Sequence, residues 1–227
     1  MTLAKYGLLL LLAAGLPAPG ICAARRKPHG VALGGFRTVP YSAEGDPAGA
    51  LPGETQLSIR PLVVDGKVRD WTTGEAHYIT QTTLVVRQAI RMNDSLPAEK
   101  KMHWVWQRGP WVLIDQSTGR EKELKLPHFV SGISDAIWFR NYAAYCGLNS
   151  TGKELYAVVA ELEVRRPLLA KKLETWKPEA DAAPACAPAV WQRDPAKVTF
   201  APAGSSPMIF DLTGTPVAVV RDDSGGQ

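Results

Sequence analysis

The sequence has few of the residues that catalytic and metal-binding sites usually require. It contains three cysteines and four histidines, and no H-x-H, H-E-x-x-H or C-x-x-C pattern brings them together. It also lacks the G-x-S-x-G pattern of a serine nucleophile and the acidic loop pattern of a calcium site. The sequence therefore predicts no metal and no cofactor, and it offers no nucleophile that a motif would define.

One stretch, GLNSTGKE from Gly147 to Glu154, matches the pattern of a phosphate-binding loop except at its last position. Glu154 stands where that loop needs a serine or threonine hydroxyl to hold magnesium. A carboxylate in this place would repel phosphate, and the residues that follow have the pattern of a strand rather than a helix. We therefore interpret the stretch as a hairpin turn.

Neither charge nor hydrophobicity is strongly concentrated in the chain. The formal net charge is +4, which is too small to indicate a nucleic-acid-binding protein. The main apolar run, Tyr6 to Leu16, is shorter than the roughly 20 residues that a membrane-spanning helix needs. We therefore expect neither a nucleic-acid partner nor a membrane span.

The first residues have the order of a secretory signal peptide. Lys5 precedes the apolar run, and Cys22 and Ala24 supply small residues for a cut after Ala24. We predict that residues 1–24 are removed and that the protein is periplasmic or secreted. A lipoprotein processed at Cys22 is the alternative, and the bulky Ile21 before that cysteine disfavours it.

Removal of Cys22 leaves Cys146 and Cys186 as an even pair of cysteines in an exported chain. Such a pair indicates a disulfide, and two buried free thiols are the alternative. Because the closed loop is long, the disulfide should stabilise the fold by about 3 to 4 kcal/mol.

Composition divides the rest of the chain into segments. Residues 25–55 are rich in Gly, Pro, Ala and Ser without periodicity, which predicts a flexible leader. We expect a β-repeat domain over residues 56–221, with a Pro/Ala-rich linker at residues 177–190 inside it. Residues 222–227 have the composition of a frayed tail.

The expected domain carries the alternation and turn signals of β-strands. The pair Asp65-Gly66 joins two short apolar runs, as in a tight hairpin. The alternation in TLVVRQAIRMN predicts a half-buried strand. Its inner face would carry Leu84, Val86, Ile90 and Met92, with Gln88 as the exception, and its outer face Arg87 and Arg91. The stretch ELYAVVAELEV fits a helix or a strand, and the Thr-Gly turn before it and Pro167 after it favour the strand.

The segment IWFRNYAAYCGLNSTGKELYAVVAELEVRRPLLAKKL has an aromatic opening strand, a turn, a central LYAVV strand and an outer strand. It resembles a blade of exported β-propeller proteins of the WD-repeat type. From Leu57 to Val220 the chain is similar to secreted bacterial β-repeat proteins without an assigned activity. The resemblance implies an all-β fold of antiparallel meanders, either propeller-like (a partial or small ring) or a β-sandwich. It implies no activity.

The stretch WVWQRGPW places Trp104, Trp106 and Trp111 around a Gly-Pro break. Tryptophans in such places usually fill the gap between adjacent sheets, so we expect all three to pack in the core. An exposed platform for a ligand is the alternative.

Two further stretches contain candidate functional residues. In DWTTGEAHY, the candidate catalytic residues are Asp70, Glu75 and His77. Glu75 and His77 are two positions apart, so on a strand they would point the same way, as a carboxylate and the imidazole base it orients would. The alternative is a turn with surface charges.

In WFRNYAAYC, the candidate binding residues Trp138, Arg140 and Tyr142 would share one face of a strand. Such a face could stack a sugar or an aromatic ligand, with the arginine adding hydrogen bonds. The alternative is a packed strand whose arginine reaches solvent.

These observations favour an exported, non-catalytic protein that binds a partner protein or a glycan, neither of which the sequence identifies. One alternative is an envelope hydrolase that acts on a sugar or peptide through the Asp70–His77 stretch, with Asp135 as a further carboxylate. Another alternative is a structural envelope component without a ligand.

Overall fold

The computed structural model describes residues 29–42, 55–98, 100–175, 186–203, 206–212 and 220–221. These residues form fifteen β-strands and no helix, so the expected all-β fold is confirmed. The predicted signal peptide, residues 25–28 and 43–54 of the predicted leader, residues 177–185 of the predicted linker and the predicted tail lie outside the described residues.

The first sheet contains seven strands. They are β1 (Val31–Leu33), β2 (Arg37–Pro40), β3 (Gln56–Val64), β4 (Lys67–Tyr78), β5 (Thr83–Asn93), β6 (Trp104–Asp115) and β7 (Arg120–Glu123). Their order is β1-β3-β4-β5-β6-β7, and β2 also pairs with β3. At the β3–β4 turn, Asp65 and Gly66 have φ values of 52° and 77°. Two successive positive φ values are typical of a two-residue hairpin turn, so the predicted hairpin is confirmed.

The first sheet curls into a half-barrel, and β2 connects two strands that are not neighbours in it. Along β2, Arg37 lies opposite Ile59 of β3. Just after β2, Tyr41 forms a parallel bridge with Trp106 of β6, and the Ser42 N–H donates to the carbonyl of Trp106 at 3.1 Å. The segment around β2 therefore spans from β3 to β6 and holds the curl.

The prediction of a flexible leader over residues 25–55 is wrong for residues 29–42. Strands β1 and β2 lie in this segment, and Tyr41 is buried in a cluster with Trp106. These strands have three and four residues, which is too short for an alternating pattern to be visible in the sequence. Pairing with β3 orders the segment despite its glycines and prolines.

Two four-stranded antiparallel meanders follow the first sheet. The second sheet has the order β11-β10-β9-β8 and the third has the order β12-β13-β14-β15. Their strands are β8 (Ile137–Phe139), β9 (Tyr142–Leu148), β10 (Glu154–Glu161), β11 (Leu169–Thr175), β12 (Cys186–Arg193), β13 (Ala196–Pro202), β14 (Met208–Asp211) and β15 (Val220–Arg221). Such meanders are blade-like units, and the fold is compatible with a propeller-like or a sandwich description.

Three of the sequence interpretations concern the second and third sheets. The stretch ELYAVVAELEV forms β10 as a strand, which confirms the favoured reading. GLNSTGKE forms the turn between β9 and β10, as predicted. The predicted linker at residues 177–190 is wrong from Cys186 onward, because β12 begins there and pairs with β13.

The second sheet is the middle of three layers. One of its faces, which includes Tyr145 and Val158, packs against Val85 of the first sheet. The opposite face, which includes Val159, packs against Phe200 of the third sheet. Burial on both faces explains why β9 and β10 are apolar almost throughout rather than alternating.

The predicted disulfide between Cys146 and Cys186 is confirmed. Cys146 lies in β9 and Cys186 begins β12, so the bond joins the second sheet to the third. The two Cα atoms are 6.2 Å apart, which is within the usual span of a disulfide.

The predicted core packing is confirmed for Trp106 and Trp111, each 7% exposed, and is wrong for Trp104, which is 42% exposed. Trp104 begins β6 next to the loop that connects β5 to β6, where it pairs with Asn93. There the guanidinium of Arg91 lies 4.5 Å from the centre of its ring, so this tryptophan packs against a cation and not between sheets.

The predicted half-buried pattern of β5 is confirmed for Leu84 and Val86, which are buried, and for Arg91, which is exposed. It is wrong for the rest of the strand: Ile90 and Met92 are exposed, whereas Arg87 is only 4% exposed. The pairing of β5 with β6 shifts register between Arg87 and Ala89, and such a bulge ends the simple alternation of inward and outward residues. The first half of β5 lies under the second sheet, where both of its faces are buried.

Candidate functional site

A cavity of about 640 Å³ lies between the first sheet and the segment that leads into β8. Its volume is in the range of small-ligand sites. Its lining includes Phe36, Glu75, His77, Arg87, Asp135 and Trp138. We refer to it as the main cavity. Two of the three candidate catalytic residues, one candidate binding residue and the further carboxylate therefore meet in one place.

Glu75 reaches the main cavity from a bulge in β4. The pairing of β4 with β5 shifts register between Thr73 and His77, and Gly74 has a φ of +70°, a conformation that side-chain-bearing residues rarely adopt. The side chain of Glu75 is 89% exposed, and its nearest cation is Arg60, with a nitrogen–oxygen distance of 3.9 Å. Its carboxylate is thus open to a ligand.

His77 connects the first sheet to the second. Its Nε2 atom lies 2.8 Å from the carbonyl oxygen of Arg140, and its ring stacks on Trp138 with centres 6.1 Å apart. Because a carbonyl oxygen can only accept, Nε2 carries the proton and donates it. In the neutral ring Nδ1 is then an acceptor.

The prediction that Trp138, Arg140 and Tyr142 share one strand face is wrong. The chain reverses between β8 and β9, where Arg140 has a positive φ of 53° and Phe139 pairs with Tyr142. Trp138 lines the main cavity, whereas Tyr142 packs against the core between the second and third sheets. The two turn residues are Arg140 and Asn141. Asparagine is common in turns, and without a glycine beside it the signal is weak.

Trp138 forms a wall of the main cavity rather than an open stacking surface. Its ring contacts His77 and meets the ring of Trp111 edge to face, with centres 5.6 Å apart. The indole N–H groups of Trp111 and Trp138 are both buried and have no acceptor among the described residues. An unpaired buried donor is costly, and both are found at this cavity.

Arg87 is a functional candidate that the sequence reasoning missed. Its guanidinium donates to the carbonyl oxygens of Gly109 at 3.3 Å and Ser131 at 2.6 Å, and to Asp135 Oδ1 at 3.2 Å. Asp135 itself is about half exposed. The buried arginine therefore orients a carboxylate at the cavity wall. The one signal in the sequence is a charged residue inside the apolar run of β5, and the prediction that it faces solvent is wrong.

Asp70 does not belong to the main cavity. The stretch from Asp70 to His77 is part of strand β4 and not a loop, and Asp70 lies toward the other end of it. Its carboxylate accepts hydrogen bonds from the side chain of Gln88 and from the backbone N–H of Trp71. The sequence prediction that Asp70 acts together with Glu75 and His77 is therefore wrong, because the strand and its bulge separate them.

Apart from the two buried indole N–H groups, the side-chain polar atoms that remain available in the main cavity are acceptors. Arg87 is bound as described above, and Arg108 donates to the hydroxyl of Tyr41 at 3.0 Å. By contrast, no donor from the described residues reaches Asp135 Oδ2 or His77 Nδ1, and Glu75 has only the long contact to Arg60. A ligand that donates hydrogen bonds would match these groups.

Among the described residues, no group of three or more His, Cys, Asp or Glu side chains is placed to hold a metal ion. Within the same residues, no helix is long and apolar enough to cross a bilayer. Comparisons with models of protein families, with curated proteins and with solved structures give no significant match for this chain.

Proposed function

We propose that the protein is a non-catalytic binding protein and that its main cavity holds a hydroxyl-rich glycan. The observation that carries the proposal is the state of the polar groups in that cavity. Its arginines are occupied by protein acceptors, while Glu75, Asp135 Oδ2 and His77 Nδ1 are left to accept from a ligand. Sugar hydroxyls are donors that suit such acceptors.

The balance of charge also favours a neutral ligand over an ionic one. Among the residues that line the main cavity, Arg87 and Arg108 offset Glu75 and Asp135. With these charges in balance, the cavity offers no net attraction to an anion or to a cation. The rings of Phe36 and Trp138 add an apolar wall, as is usual in small-ligand sites.

The contacts of the ionisable groups fit a preorganised binding site. His77 uses its Nε2 proton on the carbonyl of Arg140, and Asp135 pairs with the buried Arg87. The hydroxyl of Thr73, another lining residue, donates to the carbonyl of Ser58 at 2.9 Å. These groups are held by the fold, which favours a fixed recognition surface.

A hydrolase is the second candidate, because two carboxylates, Glu75 and Asp135, line one cavity. Pairs of carboxylates perform glycoside hydrolysis when one protonates the leaving group and the other assists attack. The two candidates differ in whether the bound glycan is cleaved. A hydrolase would convert the bound glycan, and Glu75→Gln would abolish turnover while binding persisted.

The proposal is tested on an array of neutral and acidic oligosaccharides, followed by affinity measurements on the neutral oligosaccharide that binds best. Glu75→Gln should weaken binding by about tenfold, since a charged acceptor is replaced by a neutral one, which forms a weaker hydrogen bond. The matched control is Glu123→Gln, which changes an exposed glutamate of β7 outside the cavity and should leave the affinity unchanged. The proposal would be contradicted if the protein bound no neutral glycan on the array. Equal affinities of both variants and the wild type would also contradict it.

We also propose that the protein acts outside the cytoplasm after cleavage behind Ala24. The proposal is supported by the signal-like N-terminus and by the disulfide, a bond that persists in oxidising compartments. N-terminal sequencing of the exported protein should begin at Arg25. A protein that retains Met1, or one that begins at Cys22 with an attached lipid, would contradict it.

A further inference from the structure

A second cavity has the opposite hydrogen-bonding character. It has a volume of about 420 Å³ and lies among β2, β4, β5 and β6. Its lining includes Arg37, Asp70, Trp71, Ile90, Arg91 and Trp106, and we refer to it as the Arg–Trp groove. None of these residues lines the main cavity.

Each arginine of the Arg–Trp groove lies over a tryptophan ring. The Arg37 guanidinium is 3.9 Å from the centre of the Trp71 ring, and the Arg91 guanidinium is 4.5 Å from that of Trp104. Trp71 in turn meets Trp106 edge to face at 5.7 Å. Stacking on a ring holds a guanidinium in place while its N–H groups stay directed outward in the plane.

Neither arginine has a carboxylate partner among the described residues. The salt bridges within that part of the chain involve other cations, and neither guanidinium has a hydrogen bond to another side chain or carbonyl there. Asp70, the carboxylate of the groove, is bound by Gln88 and by the backbone of Trp71. The groove therefore presents positioned donors that the protein itself does not use.

We propose that the Arg–Trp groove binds an organic anion, whose carboxylate, sulfate or phosphate group accepts from Arg37 and Arg91. Planar guanidinium groups match the oxygens of such anions, and hydrogen bonds of this kind are the stronger ones. Trp71 and Ile90 supply an apolar wall for the body of the ligand. Nucleic acid requires a long basic stripe, whereas this groove has two arginines in a confined space. A small anion therefore fits it better than nucleic acid does.

The test is calorimetric titration with trigalacturonate, a carboxylated sugar, and with its methyl ester, which removes the charge but keeps the shape. The wild type should bind the acid and should bind the ester at least tenfold more weakly. Arg37→Ala and Arg91→Ala should each weaken binding of the acid by about tenfold. Arg37→Lys should weaken binding of the acid less than Arg37→Ala does, because lysine keeps the charge but lacks the planar guanidinium group.

The matched control is Arg193→Ala, which removes the same charge from an exposed position on β12 in the third sheet. It should bind the acid as the wild type does. Thermal unfolding of each variant checks that the exposed substitutions leave the fold intact. Glu75→Gln should not alter binding of the acid, so failure of the main cavity as a glycan site and failure of this groove are distinguishable.

Four results would overturn the proposal. The first is no binding of trigalacturonate at millimolar concentration. The second is equal binding of acid and ester. The third is an equal loss of affinity for the acid in Arg193→Ala, which would show that only the net charge of the protein matters. The fourth is binding of inorganic phosphate alone, which would show that the organic part of the ligand does not contribute to recognition.

Discussion

The Nε2 atom of His77 lies 2.8 Å from the carbonyl oxygen of Arg140. One partner is in β4 of the first sheet, and the other is in the turn that opens the second sheet. This hydrogen bond and the stacking of His77 on Trp138 join the two sheets at the rim of the main cavity. The shape of the candidate site therefore depends on this junction.

Replacing His77 should loosen that junction. We expect His77→Ala to lower the free energy of unfolding by about 1 to 2 kcal/mol, through loss of one hydrogen bond and one aromatic contact. Urea unfolding measures the change. The control is His103→Ala, which removes the exposed pair with Asp94 and should change stability by less than about 1 kcal/mol. Equal effects of the two substitutions would show that His77 does not hold the sheets together.

Much of the fold follows from local patterns in the sequence. Thr-Gly and Asp-Gly pairs mark hairpin turns at Gly152 and Gly66, and both turns are present. The pattern of β10 was ambiguous between helix and strand, because a strand buried on both faces lacks alternation. The Thr-Gly turn before it and Pro167 after it are the signals that favour the strand.

The arrangement of the site could not be predicted in the same way. Glu75 and His77 were candidates, and so was Trp138, but their common cavity results from packing of one sheet on another. Arg87 looked like a surface residue because the bulge next to it cannot be seen in the sequence. Contacts between sheets determine which residues meet in a site, and these contacts cannot be read from the local patterns of a single sequence.

The disulfide should contribute strongly to stability. Cys146 and Cys186 are separated by 40 residues, and closing a loop of that length stabilises a fold by about 4 kcal/mol in the chain-entropy model. The double variant Cys146→Ser with Cys186→Ser should lose about that much in urea unfolding. Intact mass should rise by about 2 Da when the wild type is unfolded and reduced. A wild-type mass that does not change on reduction would contradict the bond.

Tyr145 should make stability depend on alkaline pH. It is fully buried in the middle sheet, and burial raises the pKa of its phenol. The folded state thus keeps a proton that the unfolded state releases above about pH 10, so stability falls as the pH rises past that value. Tyr145→Phe should remove this part of the decline.

The same substitution has a second effect at neutral pH. The Tyr145 hydroxyl donates to the carbonyl of Pro127 at 2.6 Å, and its loss should lower stability by about 1 to 3 kcal/mol. The difference between wild type and Tyr145→Phe should therefore shrink between pH 8 and pH 11, as followed by urea unfolding. Tyr78→Phe, at an exposed tyrosine, is the control. A difference that stays constant with pH would contradict the burial of the phenol.

Gly147 should be intolerant of any side chain. A Cβ atom at this position would lie far inside contact distance of the His128 carbonyl oxygen, which also accepts from the Leu148 N–H at 2.9 Å. We expect Gly147→Ala to cost about 1 to 3 kcal/mol, because backbone must move. Gly35→Ala, where the space is open, should cost less than about 1 kcal/mol by the same thermal or urea measurement. Similar costs for both would mean that β9 does not lie so close to His128.

The most direct test of the account is a nuclear magnetic resonance titration of the isotope-labelled protein with the neutral oligosaccharide that binds best on the array. The main cavity predicts shifts concentrated on the Trp138 indole N–H, the His77 ring and backbone amides from Gly74 to His77. Signals of the Arg–Trp groove, such as the Trp71 indole N–H, should stay in place. Saturable shifts in the groove alone, or no shifts at the main cavity, would contradict the claim that this cavity binds a glycan.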